Sequence, residues 1–438
     1  MSQETYVYIH LNGHFIPAGI LTMNGQGRDS YAEFQYGKRY LERHDALPLD
    51  PVSLPLQTGR FQTARGFRML FGGIRDASPD GWGRHVLNQA AQGKGFILTE
   101  FDYLTLSADD RAGALAFGPD LNGPQRRFPF KTPGELDGES LNLEDMLKIA
   151  DTIDSENELE NKYKRFLVRG SSFDSGLGGA QPKASTSLDG RQWVAKFSRR
   201  FDAWSTCRVE NATMSLARLC GLVVPETRVI DVAGRDIFLI ERFDRETEIR
   251  KHFISARTLL GLQGEAESTG HSADHDQSYQ DIAGQLRLYG SPAYIKEDLE
   301  QLYRRMVFNV LCNNYDDHLR NHGFLYSEGG WRLSPLYDVV AQPMGLEERQ
   351  LSFLRIGEHG RLATIDNLLS EPSAFGIDRE NAFHIVSQMA EAVKNNWPIV
   401  FKENQVPQSI FGELRNVSFI NAEDFNPLKY YDRGSPRP

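Results

Sequence analysis

The sequence predicts an α+β protein with two lobes, one built on short strands and the other mostly helical. Two observations favour this fold. A five-residue apolar strand, residues 193–197, follows a turn rich in glycine and carries one lysine. Residues 299–311 repeat apolar side chains at helical spacing and lead directly into a polar segment, NNYDDHLRNHGFL, at 313–325.

Composition divides the chain into four predicted regions. Residues 1–118 mix strand-like and helix-like patterns and form an N-terminal α/β subdomain. Residues 119–140 are rich in proline and glycine, which predicts a linker or a long loop. Residues 141–245 contain the glycine-rich turn and the strand lysine, and residues 246–438 form a mostly helical lobe with the polar segment.

The overall composition is that of a soluble globular protein. Of 438 residues, 40% are hydrophobic and 25% are charged, and the net charge is -10. An acidic chain lacks the basic surface that non-specific nucleic-acid binding needs, so DNA contact is expected only through a partner. The three cysteines form no CxxC pair and are predicted to be reduced thiols. We see no leader and no apolar run of about 18 residues, which predicts a cytoplasmic protein without membrane contact.

The glycine-rich segment RGSSFDSGLGGAQPKAS, residues 169–185, is the first candidate for binding chemistry. Glycine lets backbone N–H groups approach phosphate oxygens, because no Cβ stands in the way. The segment lacks the GxxxxGK[ST] pattern of a Walker loop. On these residues alone, a plain flexible turn stays an alternative.

The strand lysine, Lys196, strengthens the case for a phosphate site. A buried ammonium is costly unless a phosphate or a carboxylate pairs with it. A strand lysine shortly after a glycine-rich turn is the arrangement with which protein kinases hold ATP phosphates. Glu210, in the first turn of the next predicted helix, is the natural carboxylate partner. The alternatives are a lysine on the solvent face of an edge strand and a glutamate that only complements the helix dipole.

The segment IFLIERFDR, residues 237–245, is predicted to be a buried strand that ends in a crossing between the lobes. Backbone groups of Glu241 to Phe243 would there read the edge of an adenine. A strand end with a structural ion pair is an equal alternative.

The polar segment carries the spacing of a kinase catalytic loop. Asp316 and Asn321 form a D-x4-N pattern, in which the Asp accepts the substrate hydroxyl proton and the Asn binds Mg²⁺. Asp338 follows a predicted hairpin and stands where a second metal-binding carboxylate is expected. The rivals are a structural polar loop and a zinc site from His318 and His322, which would lack a third soft ligand. The order of all five kinase elements along the chain favours the catalytic loop.

These motifs resemble the HipA family of bacterial serine/threonine kinases, the toxin halves of HipBA-type toxin–antitoxin pairs. The resemblance covers most of the chain and is carried by VSLPLQTGRF, PDGWGRHVL, GGAQPK, WVAKF, GLVVPETRVI, LIERFDR, NNYDDHLRNHGFL and SPLYDVV. It implies a bilobal, protein-kinase-like α+β fold of HipA type, with an extra N-terminal α/β subdomain and a mostly helical C-terminal lobe. It also implies ATP and Mg²⁺ as cofactors.

The resemblance implies a role for each candidate residue. Asp316 would be the catalytic aspartate, and His318 would order its loop. Asn321 and Asp338 would bind Mg²⁺, and Glu210 would support the strand lysine in an ion pair. The residues implied to bind the nucleotide are Gly178, Gly179, Ala180, Gln181, Lys183, Lys196, Glu241 and Phe243.

Family members silence themselves by autophosphorylating a serine in the glycine-rich loop. This sequence has Gly176 where that serine stands, so the candidates are Ser175, Ser171 and Ser172, with Ser175 favoured by proximity. A phosphate there would add about two negative charges and favour expulsion of the loop from a site built for ATP phosphates.

The implied function is that of a toxin kinase acting on a protein of translation, such as an aminoacyl-tRNA synthetase. The implied partner is a small helix-turn-helix antitoxin of the HipB type, so that DNA contact would be indirect. The alternatives are a small-molecule kinase, a catalytically weak co-repressor that acts with the antitoxin, and a scaffold without a nucleotide site. An acceptor screen and a test of Mg-ATP binding separate them.

Overall fold

The computed structural model describes residues 2–66, 69–91, 97–126, 142–155, 181–199, 202, 204–262, 276–342, 353–415 and 419. The chain forms two compact units, each made of segments that are separate in sequence. The segments of unit 1 are Met1–Asp202, Glu226–Ser272 and Gly323–Gly329, and those of unit 2 are Ala203–Pro225, Ala273–His322 and Gly330–Pro438. The four contiguous divisions of the chain given above stay predictions.

The described residues contain both strands and helices. The strands are β1 (Gln3–Leu11), β2 (His14–Asn24), β3 (Tyr31–Tyr36), β4 (Arg60–Gln62), β5 (Leu115–Gly118), β6 (Lys183–Leu188), β7 (Arg191–Phe197), β8 (Thr227–Val232), β9 (Arg235–Glu241), β10 (Arg245–Glu246), β11 (Ile249–Arg250), β12 (Phe253–Ser255), β13 (Gly323–Ser327) and β14 (Gly330–Leu333). The helices are α1 (Lys38–Leu41), α2 (Gly72–Asp76), α3 (Gly81–Ala91), α4 (Glu100–Leu106), α5 (Leu143–Asp154), α6 (Thr206–Leu219), α7 (Ala256–Leu259), α8 (Tyr279–Tyr289), α9 (Ile295–Cys312), α10 (Ile365–Leu368), α11 (Arg379–Glu403) and α12 (Phe411–Glu413). In the described ranges, no helix has both the length and the apolarity needed to cross a membrane.

The first sheet of unit 1 is antiparallel, in the order β4-β3-β2-β1-β5. The sequence pair Asn12-Gly13 is a strong hairpin signal, and it joins β1 to β2 with positive φ angles of 50° and 84°. Alternate residues of β1, such as Val7 and Ile9, are fully buried in an apolar cluster that also contains Phe34. Tyr8, which lies between them and projects from the opposite face, is only 1% exposed, so both faces of this part of β1 are covered.

The second sheet of unit 1 is also antiparallel, in the order β6-β7-β9-β8. Trp193, Ala195 and Phe197 of β7 belong to an apolar cluster that residues of α3 and α5 complete. Lys196 projects from the other face, because side chains alternate along a strand. Since β7 lies between β6 and β9 and Lys196 is only 6% exposed, the alternative of a solvent-facing lysine on an edge strand is wrong.

Helix α9 is the predicted amphipathic helix, and it packs against α8 and α11 within unit 2. Its apolar face, including Leu302, Tyr303 and Val307, is fully buried. Asn313 follows with a left-handed backbone, φ 55°, which ends the helix and turns the chain into the polar segment. The predicted catalytic loop therefore starts directly from a buried helix.

Candidate active site

Two lysines of unit 1 lie directly opposite each other in the second sheet. Lys183 begins β6 and is the cross-strand partner of Lys196 in β7. Opposite residues of antiparallel strands project from the same face, here the face away from the apolar cluster. Only 7% of Lys183 and 6% of Lys196 are exposed, and Nζ of Lys196 lies 5.8 Å from the ring centroid of Phe238. Two largely buried lysines on one face are an arrangement suited to phosphate, because a buried ammonium group needs an anionic partner.

The chain just before β6 is held against the end of β7. Gln181 Nε2 donates a hydrogen bond to the carbonyl oxygen of Phe197 at 3.3 Å. Six other predicted residues of the glycine-rich loop lie outside the described residues: Gly178, Gly179, Ala180, Ser171, Ser172 and Ser175. Their roles stay predictions.

In the predicted crossing after β9, Glu241 and Arg242 are bonded to other residues of unit 1. The backbone N–H of Glu241 donates to Glu226 and that of Arg242 to Gln192, at 2.9 and 2.8 Å. The carboxylate of Glu241 pairs with Arg191 at 3.2 Å. The half-buried ring of Phe243 lies 6.4 Å from the ring of Phe253, measured between ring centroids. The roles of Glu241 and Phe243 at an adenine stay predictions, but two backbone N–H groups of this segment are already engaged.

The same segment contains a network of ion pairs around Arg242, of the structural kind named as an alternative. Arg242 is buried, and its Nε and Nη2 donate to the two carboxylate oxygens of Asp244 at 3.0 and 2.9 Å. Its Nη1 pairs with Asp110, and Arg245 also binds Asp244, at 2.8 Å. Burial alone would raise the pKa of Asp244, but the guanidinium groups of Arg242 and Arg245 outweigh it and hold the pKa well below its usual range. The network is structural in character.

Asp316 and Asp317 are adjacent in the chain but have opposite environments. Asp316 is exposed, although partial loss of water around its carboxyl raises its pKa. The charge of His318 opposes this shift of the Asp316 pKa, and the charges of Asp338 and Asp317 add to it. Asp317 is 1% exposed and accepts hydrogen bonds from Tyr279 and from the imidazole at position 322. Asp316 is therefore the carboxylate of this pair that can reach a substrate.

Asn321 and Asp338 lie near Asp316 within unit 2. Asn321 is buried in a short 3-10 turn, and its Nδ2 donates to the carbonyl oxygen of Asp316 at 3.0 Å. Because the amide nitrogen makes this bond, the amide oxygen is the end suited to coordinate a cation. Asp338 has a φ of 58°, a backbone region that non-glycine residues seldom occupy and that is often found at functional sites. Its charge is close enough to raise the pKa of Asp316.

The chemistry of this group fits a hard divalent cation. Carboxylate and amide oxygens are the ligands that Mg²⁺ prefers, and a cation would relieve the repulsion between Asp316 and Asp338. Within the described part of the chain, no three His, Cys, Asp or Glu side chains cluster closely enough to hold an ion by themselves. An ion here would therefore take water and substrate phosphates as further ligands, as Mg²⁺ commonly does in phosphoryl transfer. The assignment of Asn321 and Asp338 as its ligands stays a prediction.

The two histidines of the loop have different partners. The ring of His318 packs edge-on against Phe353, with 5.7 Å between ring centroids. The Nε2 of His322 lies 2.9 Å from Asp317 in the interior. A zinc site made from both histidines would need further protein ligands, and among the described residues no group of three His, Cys, Asp or Glu side chains is close enough to hold an ion. The predicted role of His318 in ordering the loop stays a prediction.

Glu210 is the fifth residue of α6, so the prediction that it lies in the first turn of the helix is wrong, and it is 2% exposed. It belongs to unit 2, whereas Lys196 belongs to unit 1. Their ion pair stays a prediction.

Sequence reasoning missed three residues of the loop's surroundings: Asp317, His322 as its partner, and Tyr279. The doubled aspartate in the polar segment was the available signal for the first of them. No local pattern indicates Tyr279, because it comes from a helix far upstream.

Comparison with known protein families shows the family of this chain. Residues 7–118 match the family described as HipA N-terminal domain, and residues 175–397 match the one described as HipA-like C-terminal domain. The chain belongs to the HipA family. The second match alone spans half of this HipA family member.

Relatives of this HipA family member include bacterial proteins that are named as kinases or putative kinases. A putative kinase of Sinorhizobium fredii, Y4mE, is 25% identical over 391 residues, which cover 84% of this chain and 87% of that protein. The serine/threonine-protein kinase toxin HipA of Shewanella oneidensis is 23% identical over 190 residues, which cover 38% of this chain and 43% of that protein. The family is therefore one of HipA-like kinases.

A solved structure shares the fold of this HipA family member. It is the Shewanella oneidensis complex of HipA, HipB and operator DNA, in which one chain has a TM-score of 0.65 and 16% identity. The likeness covers 98% of this chain and 100% of that chain. The predicted α+β, HipA-like kinase fold is confirmed.

Proposed function

We propose that this HipA family member is an ATP- and Mg²⁺-dependent serine/threonine protein kinase that acts as a HipA-like toxin. The observation that carries the proposal is the grouping of an exposed Asp316 with Asn321 and Asp338. This set has the residue types and the chain order of a kinase catalytic loop and metal site. The buried lysine pair in the second sheet adds a site for phosphate.

The proposed reaction transfers the γ-phosphoryl group of ATP to a serine or threonine hydroxyl. Asp316 orients the hydroxyl and takes its proton as the oxygen bonds to the γ-phosphorus. The bond from that phosphorus to the β–γ bridging oxygen breaks, and ADP leaves. Lys183 and Lys196 donate to phosphate oxygens and balance their charge. Asn321 and Asp338 would hold Mg²⁺, which supplies further charge neutralisation when bound.

The proposal extends to regulation and partners. The chain would silence itself by phosphorylating the glycine-rich loop at Ser175, Ser171 or Ser172, and its protein substrate would belong to the translation machinery of the cytoplasm. A helix-turn-helix antitoxin of the HipB type would be its partner, with DNA contact only through that partner. Support for the partner comes from the neighbour solved in complex with HipB and operator DNA.

The experiment that tests the proposal is intact-protein mass spectrometry after incubation with Mg-ATP, starting from protein treated with a phosphatase. We expect a gain of at least one phosphate, and peptide mapping then chooses among the three serines. A parallel panel offers serine and threonine peptides, a cell extract and small-molecule alcohols as acceptors. Transfer to small molecules alone would contradict a protein kinase, and absence of both transfer and ATP binding would contradict any kinase.

We expect Lys196→Met to weaken Mg-ATP binding about 10- to 100-fold, because one charge-assisted contact to phosphate is lost. Methionine keeps the length of the side chain in the buried position, so the fold should be retained. Calorimetric titration with ATP measures the effect, and Lys183→Met should behave similarly. The matched control is Lys38→Met, whose side chain is 90% exposed. If Lys196→Met and Lys38→Met bound Mg-ATP with equal affinity, Lys196 would not bind phosphate.

A further inference from the structure

A buried pair of side chains joins the two ends of the predicted catalytic loop. Asp317 directly follows Asp316, and His322 directly follows Asn321. The Nε2 of His322 lies 2.9 Å from an oxygen of Asp317, and each side chain is at most 2% exposed. Because an ionised carboxylate only accepts hydrogen bonds, this nitrogen must be the donor. The bond thus ties together the neighbours of the two functional residues.

The pair is anchored to two helices of unit 2. The hydroxyl of Tyr279, the first residue of α8, donates to the same oxygen of Asp317. Asn309 of α9 donates to that hydroxyl at 3.3 Å, and Asn314 donates to the Asn309 side chain at 3.0 Å. All four hydrogen bonds that link Asn314, Asn309, Tyr279, Asp317 and His322 are buried. The loop therefore rests on a continuous polar network that begins on two packed helices.

Asp317 also interacts with charged side chains in the interior of unit 2. Arg305, one turn before Asn309 on α9, is 1% exposed, and its positive charge acts on the carboxylate of Asp317. The described groups that interact with Asp317 include His322, Tyr279, Arg305, the imidazole of His318, the carboxylate of Asp316 and the thiol of Cys312. A buried charged network of this kind seldom adds stability over well-packed apolar residues, but it fixes geometry. Because its members Asp317 and His322 directly follow Asp316 and Asn321 in the chain, the geometry that it fixes is that of the catalytic loop.

We infer that Asp317 and His322 are positioning residues, which hold the carboxylate of Asp316 and the amide of Asn321 in place from the interior side of the loop. The inference rests on the proposed kinase function, since it concerns the same loop. Hydrogen-bonded supports of functional groups commonly contribute 10- to 100-fold when they are removed. Asp317 and His322 act through their neighbours and do not touch the substrate.

Two substitutions of His322 separate positioning from mere packing. His322→Leu fills the space but cannot donate, and it should lower kcat for phosphotransfer about 10- to 100-fold with little change in KM for ATP. His322→Gln can place an amide N–H near the position of Nε2 and should restore most of the rate. A His322→Gln protein that is folded and as slow as His322→Leu would overturn the inference.

A pair of tyrosines supplies the matched control. Tyr279→Phe and Tyr303→Phe each remove one buried hydroxyl from unit 2, and the hydroxyl of Tyr303 donates instead to Leu368, away from the loop. At equal melting temperature, only Tyr279→Phe should lower kcat, by about 10-fold. Equal rates for the two variants would overturn the inference.

A readout that needs no activity separates this inference from the proposed function. Hydrogen–deuterium exchange in a peptide that covers residues 313–323 should speed up in His322→Leu and Tyr279→Phe but not in His322→Gln or Tyr303→Phe. Unchanged exchange in His322→Leu overturns the positioning role whatever the activity. A wild type that transfers no phosphate to any acceptor, itself included, overturns the proposed function instead.

Discussion

Asp316→Asn is expected to abolish phosphotransfer, with a loss of about 10²- to 10⁴-fold, while the protein stays folded. Asparagine keeps the shape of the side chain but cannot take a proton from the substrate hydroxyl, which is the part of catalysis that a positioned base supplies. The measurement is the initial rate of phosphate gain under Mg-ATP, with nucleotide affinity determined in parallel. Affinity should change little, because Asp316 acts on the hydroxyl rather than on the nucleotide.

The direction in which Asp316→Asn changes the stability of the fold can also be predicted. The folded protein raises the pKa of Asp316, first through loss of water and then through the nearby charges of Asp338 and Asp317. A carboxyl whose pKa is raised by folding favours the folded state only while it is protonated, so its ionisation at neutral pH is destabilising. Asp316→Asn should therefore melt at the same temperature as the wild type or above it at pH 7. Residues kept at a cost in stability are typical of active sites.

The matched control is Asp366→Asn, an exposed aspartate of the same unit in the first turn of α10. This variant should keep both the phosphotransfer rate and the melting temperature of the wild type. If Asp316→Asn kept its phosphotransfer activity, Asp316 would not be the catalytic base. A melting temperature well below that of Asp366→Asn would mean that Asp316 has a structural role.

Local patterns predicted the parts of the site that depend on neighbouring residues. The apolar period predicted helix α9, and the spacing of Asp316 and Asn321 predicted that they lie in one loop after it. The burial of Lys196 followed from its apolar strand. Each of these features depends on a stretch of a few residues, which a single sequence contains in full.

The features that sequence reasoning missed depend on partners far apart in the chain. The support of Asp317 by Tyr279 joins α8 to the loop, and the Arg242 network joins the end of β9 to Asp110. The pairing of Lys183 with Lys196 requires the register of β6 against β7. Nothing in one sequence specifies such pairings, because periodicity indicates which face is buried but not what lies against it.

Arg242→Ala is expected to destabilise unit 1 by about 3–5 kcal/mol, because the buried carboxylate of Asp244 and the half-buried one of Asp110 lose their main partner. Arg242 binds Asp244 with two hydrogen bonds, pairs with Asp110, and donates to the carbonyl oxygen of Arg111 at 2.7 Å. Arg245 remains beside Asp244, Asp110 and the carbonyl oxygen of Arg111 in the variant, but it does not replace the two hydrogen bonds from Arg242 to Asp244. Urea denaturation followed by tryptophan fluorescence measures the change in the free energy of unfolding. The control is Arg60→Ala, which removes a mostly exposed pair with Glu33 in the same unit and should cost less than about 1 kcal/mol.

The effect of Arg242→Ala should also depend on pH in a defined direction. Folding lowers the pKa of Asp244 because the effect of Arg242 and Arg245 exceeds that of burial. A carboxylate with a lowered pKa stabilises the fold above its unfolded pKa of about 3.9, and this contribution is lost as the pH falls towards the folded pKa. The difference in unfolding free energy between wild type and Arg242→Ala should therefore be constant above about pH 5 and narrow below about pH 4. A difference in unfolding free energy that stays constant down to pH 2.5 would contradict this prediction. So would a difference equal to the one between wild type and Arg60→Ala at every pH, because the ion pairs of Arg242 would then not stabilise this part of the fold.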